Sequence, residues 1–231
     1  MSPTTLGVSI TAIYINMSID RAIDAITEFQ GASLTKSLSN IESRVVGETR
    51  TGMEAFCINR GIDNEFMSSA ISIKKIAGQI NVIIHAAGIL RVLPQILEAE
   101  EVIESVSLGA GNTGRKFDLE TNLRIAEFKF IDWQGGPESI RQNSVFKDFF
   151  HMAEHETQKS KYLYVVGSEI PLKFLRGGRA LTSVLSRYPG ILEKIKGKYG
   201  AEILKVSDYY KIKKTEVNIC DVSPYIGRSV A

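Results

Sequence analysis

The sequence predicts an α/β fold whose core runs helix, strand, strand, strand, helix, strand from about Ile84 onward. Three observations predict it. Short β-prone runs separated by turn residues fill Val102 to Ile131, and runs so bounded read as strands. Pro137 to Ala153 carries Val145, Phe146, Phe149 and Met152 at helical spacing, the stripe of a helix packed on a core. Tyr162 to Gly167 is a short apolar strand beyond it. The chain has 231 residues, enough for one large domain or a core with an added subdomain.

In chain order, Thr5 to Asn16 is rich in Val, Ile, Thr and Tyr and reads as a strand. Ser18 is placed as an N-cap, with Ile19, Ala22, Ile23, Ile26 and Phe29 at helical spacing and Gly31 after them. Ser33 to Gly61 has too weak a periodicity to assign. From Asn64 to about Leu97, Met67, Ile71, Ile76, Ile80, Ile84 and Ala87 fit long helical structure, with breaks or bends expected at Gly88 and Pro94. Val102 to Leu108 is a strand and is followed by a glycine loop. Arg115 to Thr121 and Ile125 to Ile131 form two more strands across a turn at Thr121-Asn122. Pro137 suits the first turn of the next helix and Glu138 its positive end. Arg179 to Tyr188 and Gly190 to Tyr199 read as helices, and Glu202 onward as mixed strand character. The expected division is an N-terminal α+β extension over 1–80, a core over 81–200 and a C-terminal extension over 201–231.

The chemistry concentrates between Gly109 and Trp133. In a strand, side chains alternate faces, so Glu127 and Lys129 share one, about 6.6 Å apart. A carboxylate and an ammonium in so apolar a run are costly unless paired, metal-bound or used. Taken alone, they read as an ordinary pair on a half-exposed strand. Asp118 changes this, because a hairpin turn at Thr121-Asn122 brings it beside Glu127. Two adjacent carboxylates repel unless a cation lies between them, and Mg²⁺ is held by one or two carboxylates, a carbonyl and several waters. His85, in the apolar helical run, reads as a buried hydrogen-bonded histidine, with a place in the site as its alternative.

These residues, their spacing and the order of elements resemble the PD-(D/E)xK nuclease superfamily, which includes restriction enzymes, Holliday-junction resolvases and RecB-type exonucleases. The resemblance covers about Ile84 to Tyr199. Asp118 matches the first acid of the motif, and Glu127 and Lys129 its (D/E)xK pair. Gln142 on the next helix, with Phe146 one turn on, is similar to the Gln-x-x-x-Tyr element of the RecB-like branch. The resemblance implies a restriction-endonuclease-like αβββαβ core with a mixed central sheet flanked by helices. It implies hydrolysis of DNA phosphodiester bonds with Mg²⁺ or Mn²⁺ held by Asp118, Glu127 and the carbonyl of Phe128. Lys129 would orient the attacking water or stabilise the phosphate, and Gln142 would support the site. There are departures. Phe117 stands where the motif has proline. Many relatives carry an acid in the middle of the first helix, whereas His85 to Leu97 has none and Glu98, Glu100 and Glu101 come only at its end. A catalytically silent DNA- or protein-binding module is therefore the alternative.

Charge agrees with a polyanionic partner. The net charge is +2, but between Ser160 and Lys214 twelve Lys and Arg stand against four Asp and Glu. Lys173, Arg176, Arg179 and Arg187 are expected along a DNA backbone, with Gly177-Gly178 before a helix start that favours anions. Two further motifs compete. Gly109 to Gly114 is a literal G-x-G-x-x-G after a strand, and a dinucleotide-binding oxidoreductase needs a helix to start within it. His151, Glu154 and His155 match the H-x-x-E-H zinc pattern. Cys57 and Cys220 form no CxxC, which suits a reducing compartment. No Lys or Arg precedes Arg21, and Ile80 to Leu97 is interrupted by His85, Arg91, Pro94 and Gln95. The expectation is a cytoplasmic protein with no membrane span, a homodimer being left open.

Overall fold

The computed structural model describes residues 19–109, 114–130, 133 and 138–227. The strand expected over Thr5 to Asn16, the cap at Ser18 and most of the glycine loop lie outside them. The chain divides into two compact units, Met1–Ile80 and Asn81–Ala231. The described part of the first is helical: α1 (Ile19–Gln30), α2 (Leu34–Val45), α3 (Arg50–Asn59) and the start of α4 (Asn64–Ile96). The stretch with no assignable periodicity is thus α2 and α3. Neither buries a residue completely, although Leu34, Leu38, Ile41 and Val45 of α2 stand at helical spacing on one face.

Helix α4 runs through both Gly88 and Pro94 rather than breaking. Proline removes one backbone donor, but Ile89, Val92 and Leu93 are buried beside it, and this packing holds the turn. Gly88 is required by close approach, since a Cβ there would lie 2.7 Å from the Phe130 ring. By length and composition alone, α4 is long and apolar enough to cross a membrane. Its second half nevertheless packs on the sheet through those three residues.

The second unit is mixed α/β. Five strands lie in the order β1 (Ile103–Val106), β2 (Leu119–Thr121), β3 (Arg124–Lys129), β4 (Ser160–Val165) and β5 (Asn218–Asp221). The first three are antiparallel, and β4 and β5 run parallel to β3. Between β3 and β4 runs α5 (Ser139–Ala153), which supplies the crossover that a parallel pair needs. The order from α4 is therefore helix, three strands, helix, strand. Ala126, Phe128, Tyr164 and Val166 face the end of α4. Ile125, Leu163 and Val165 face Val145, Phe146, Phe149 and Met152 of α5. Helices flank both faces.

Three short-range assignments differ. Residues 169–175 form a helix, α6 (Glu169–Leu175), that the sequence did not signal. The helix expected over Arg179 to Tyr188 is only α7 (Leu181–Val184). The backbone before it pairs elsewhere: Leu181 N–H donates to Leu204 O and Val206 N–H to Arg179 O, around a bridge between Ala180 and Lys205. The expected helix over 190–199 is α8 (Pro189–Tyr199). Beyond Glu202 come helix α9 (Val206–Lys213) and then β5, which closes one edge of the sheet.

A buried ion pair anchors the start of β3. Arg124 donates to Glu101, to Tyr164 and, more weakly, to Glu98, while the Thr121 hydroxyl donates to Glu101. The Glu101 side chain is fully buried. Burial opposes its ionisation, but the Arg124 and Thr121 hydrogen bonds hold it below the usual carboxylate range.

Candidate active site

Pairing of Leu119 with Ala126 and Glu120 with Ile125 brings the start of β2 beside the middle of β3. Asp118, one residue before β2, thereby meets Glu127. Asp118 Oδ2 accepts the Phe128 N–H at 3.0 Å, and its Oδ1 faces His85 Nε2 of α4 at 3.4 Å. Glu127 and Lys129 share the α5-facing side of β3, with Lys129 Nζ 3.9 Å from Glu127 Oε2. From α5, Asp148 places Oδ2 2.7 Å from the same ammonium. Ser144 Oγ donates to that carboxylate at 3.4 Å, and Lys147 Nζ lies 3.5 Å from its other oxygen.

Three carboxylates thus surround one lysine, and all four side chains are largely buried. The electrostatic result is uneven. Burial, then the charges of Asp118 and Asp148, push the Glu127 carboxyl up to about 9, so it holds a proton near neutrality. Burial also opposes ionisation of Asp118, but the His85 contact and the Phe128 N–H keep it below the usual range. Burial works against the Lys129 ammonium, yet Asp148 and Glu127 outweigh it and raise its pKa. The pattern is a lysine held charged, an ionised aspartate and a glutamate whose ammonium neighbour at 3.9 Å does not offset burial and the two aspartates.

Asp118, Glu127 and Lys129 come together as the sequence suggested. Gln142 does not touch them: its Oε1 accepts from Arg179, which also donates to Ser183 at 3.3 Å. Lys173, Arg176 and Arg187 are exposed, and Arg179 is half-buried. The four-residue α7 offers no anion-binding start behind Gly177-Gly178. Glu98 and Glu101 are committed to Arg124, and Glu100 contributes a backbone carbonyl to Asn122. None of the three joins the site.

Asp148 was not singled out, although a signal was present. It lies three residues after Val145 and four before Met152, so a carboxylate interrupts the apolar stripe of α5. His85 is the other recovered residue. Sequence alone favoured a core histidine, whereas its ring faces Asp118.

The competing motifs fare differently. After Gly114 the described chain passes through bends into β2, antiparallel to β1, so no helix follows the glycine loop there. Glu154 of the H-x-x-E-H motif accepts from Tyr199 and Tyr209 and lies 2.7 Å from Lys198. His155 Nδ1 lies 2.7 Å from Lys116 Nζ. Among the described residues, no trio of His, Cys, Asp and Glu is gathered at metal-ligand spacing. The chain matches no protein-family model, no curated protein and no solved structure.

Proposed function

We propose that this chain is a divalent-metal-dependent nuclease that hydrolyses phosphodiester bonds of DNA, on a restriction-endonuclease-like core. One observation carries the reading: Asp118, Glu127 and Lys129, drawn from two strands, meet as two carboxylates and an ammonium with Asp148 behind the lysine. The order of helix, three strands, helix and strand around them supports the same core.

The donor set suits a hard cation. Mg²⁺ takes one or two carboxylates and keeps several waters, and Asp118 and Glu127 supply the two. The Phe128 carbonyl is the backbone donor the resemblance assigns. The protonated Glu127 is a carboxyl short of positive charge, and such a group is where a cation lowers the electrostatic cost. A bound cation supplies an activated water and charge stabilisation at the phosphate. The chain's own groups do the rest. Asp118 is ionised and oriented by the Phe128 N–H and His85. Lys129, kept charged by Asp148, can donate to a phosphate oxygen or position a water but is no base. Lys173, Arg176 and Arg187 are exposed for phosphate contacts, and Gln142 would act through Arg179. With two free cysteines, Cys57 and Cys220, this reading places the protein in the reducing cytoplasm.

A binding module without chemistry is the second reading, favoured by His85 standing where an acid would complete the helix contribution. Purified protein incubated with linear, circular and branched DNA in Mg²⁺ and in Mn²⁺ separates the two. Cleavage abolished by Lys129→Ala supports the nuclease. DNA binding without cleavage, surviving Asp118→Ala and needing no metal, supports the module and overturns the nuclease.

A further inference from the structure

The end of α5, the segment before β2 and one face of α8 enclose a cleft of about 510 Å³. Lys116, His151, His155, Lys194 and Lys198 line it. Glu154 is the one acid among the described lining residues, and it is engaged by Lys198, Tyr199 and Tyr209. No carboxylate among the described residues pairs with Lys116 or Lys194. The Lys116 ammonium instead donates to His155 Nδ1 at 2.7 Å. An ammonium only donates, so that ring carries its hydrogen on Nε2 and has a donor free for another group.

Both histidines are held below their usual pKa, by burial first and then by neighbouring lysines. Asp148, Lys147, Lys116 and Lys194 face His151, and Lys116, Lys161, Glu120 and Glu156 face His155. The cleft therefore has an excess of positive charge that its own acids do not balance. Gly197 of α8 also lines it. Glycine is a poor helix interior residue, and a Cβ there would meet nothing within 4 Å. Neither packing nor a left-handed backbone calls for glycine, whereas a side chain would project into open space at the cleft.

We propose that this cleft binds a phosphate group, and that with a DNA substrate it takes a backbone phosphate near the one at Asp118 and Glu127. The first half stands on the cleft alone, and the second rests on the nuclease reading. Lys116 is two residues before Asp118, and His151 is one turn beyond Asp148 on α5, so the cleft adjoins the acids along two chain segments. Lysines provide point charges and the imidazoles N–H donors, which together suit phosphate oxygens.

The test uses the ring signals of the protein's three histidines in heteronuclear NMR, titrated with inorganic phosphate against sodium chloride at matched ionic strength. Phosphate is expected to shift the His151 and His155 signals saturably while chloride does not. Lys194→Ala should weaken the apparent affinity about tenfold, the loss of one charged contact. Gly197→Leu improves helix propensity and keeps every charge, yet should abolish the shift by filling the cleft. Equal shifts in both salts, movement of His85 alone, or wild-type titration by Gly197→Leu would each overturn the proposal. A single-stranded oligonucleotide added to Lys129→Ala protein should move the same two rings; if they stay still, the link to DNA is overturned. Failure of the wild type to cut DNA leaves the phosphate titration unaffected, so the two readings fail separately.

Discussion

Lys129 Nζ lies 2.7 Å from Asp148 Oδ2 and 3.9 Å from Glu127 Oε2, so one ammonium of β3 is held between its strand neighbour and an acid of α5. Asp148 is what keeps that lysine charged against burial. Asp148→Asn should cost about 1.5–3 kcal/mol of stability, the range for a charged hydrogen bond. It should also let burial draw the Lys129 pKa down. The basic limb of a pH–rate profile would then move to lower pH, while KM changes less than kcat. A variant with wild-type stability and an unmoved basic limb would show that Asp148 only fills the helix face.

Glu127 gives a pH dependence of stability. Its carboxyl is raised from an ordinary 4.5 to about 9 in the fold. A raised acid binds its proton more tightly folded than unfolded, so its contribution is fully present below about 4.5 and is lost as pH climbs through about 9. Across that window the loss approaches about 1.4 kcal/mol per pH unit as an upper limit. Urea unfolding between pH 5 and 9 without divalent cations should show the wild type weakening against Glu127→Gln. Added Mg²⁺ should remove much of the difference, because a cation favours the ionised carboxyl. Parallel stability curves for the two proteins would contradict the assignment.

The legible part of this fold was the part with strong periodicity or strong chemistry. The alternation of Ile125 to Lys129 gave the strand and put Glu127 and Lys129 on one side. The stripe of Val145, Phe146, Phe149 and Met152 gave α5, and all four are buried. Asp118, Glu127 and Lys129 could be placed together because a turn residue pair fixed the hairpin. What escaped depends on tertiary contacts. Residues 179–181 carry a helical pattern but pair with 204–206 instead. Helices α2 and α3 bury no residue completely, so the face of Leu34, Leu38, Ile41 and Val45 on α2 stays partly exposed and marks no core. Asp148 was hidden because a carboxylate inside an apolar face looks like an interruption until Lys129 of another element is seen beneath it. Gln142 reads as a site residue from spacing, and only the structure shows its oxygen taken by Arg179.

The Arg124–Glu101 pair predicts a large, partly reversible loss of stability. Arg124→Met leaves the fully buried Glu101 carboxylate without its partner, which costs about 3–5 kcal/mol when a buried pair is broken. Adding Glu101→Leu should restore most of it, since apolar replacement of a whole buried pair is often neutral. Chemical denaturation of both variants decides the point. If the double variant is no better than the single, the ion pair matters through Tyr164 and Thr121 rather than through charge.

Arg176 and Arg179 should separate in salt dependence. Arg176 is exposed, and losing a phosphate contact on duplex DNA should reduce the log–log slope of affinity against salt by about 0.9. Arg179 is bound to Gln142 and Ser183, so Arg179→Ala should leave that slope closer to wild type and disturb α5 instead. Binding isotherms over a range of salt, with a metal that does not support cleavage, measure both. Identical slopes for wild type and Arg176→Ala would place the DNA path elsewhere.

His85 tests whether α4 contributes to the site without an acid. Its Nε2 faces Asp118 Oδ1 at 3.4 Å, and its hydrogen bond is the first influence that offsets burial and lowers the Asp118 pKa. A carboxyl lowered in the fold adds stability above its unfolded pKa and loses it as pH falls through the folded value. Removing His85 should therefore move that loss to higher pH. His85→Leu should shift the acid limb of the pH–rate profile upward and raise the midpoint of the Asp118 carboxyl signal in ¹³C NMR. His85→Gln keeps an N–H donor and should recover part of the shift without the imidazole ring. A packing role predicts instead that both variants lower stability while the acid limb and the Asp118 midpoint stay where they are. The position of that limb, read beside the Gln variant, decides whether the histidine orients the carboxylate or only fills the space next to Phe130.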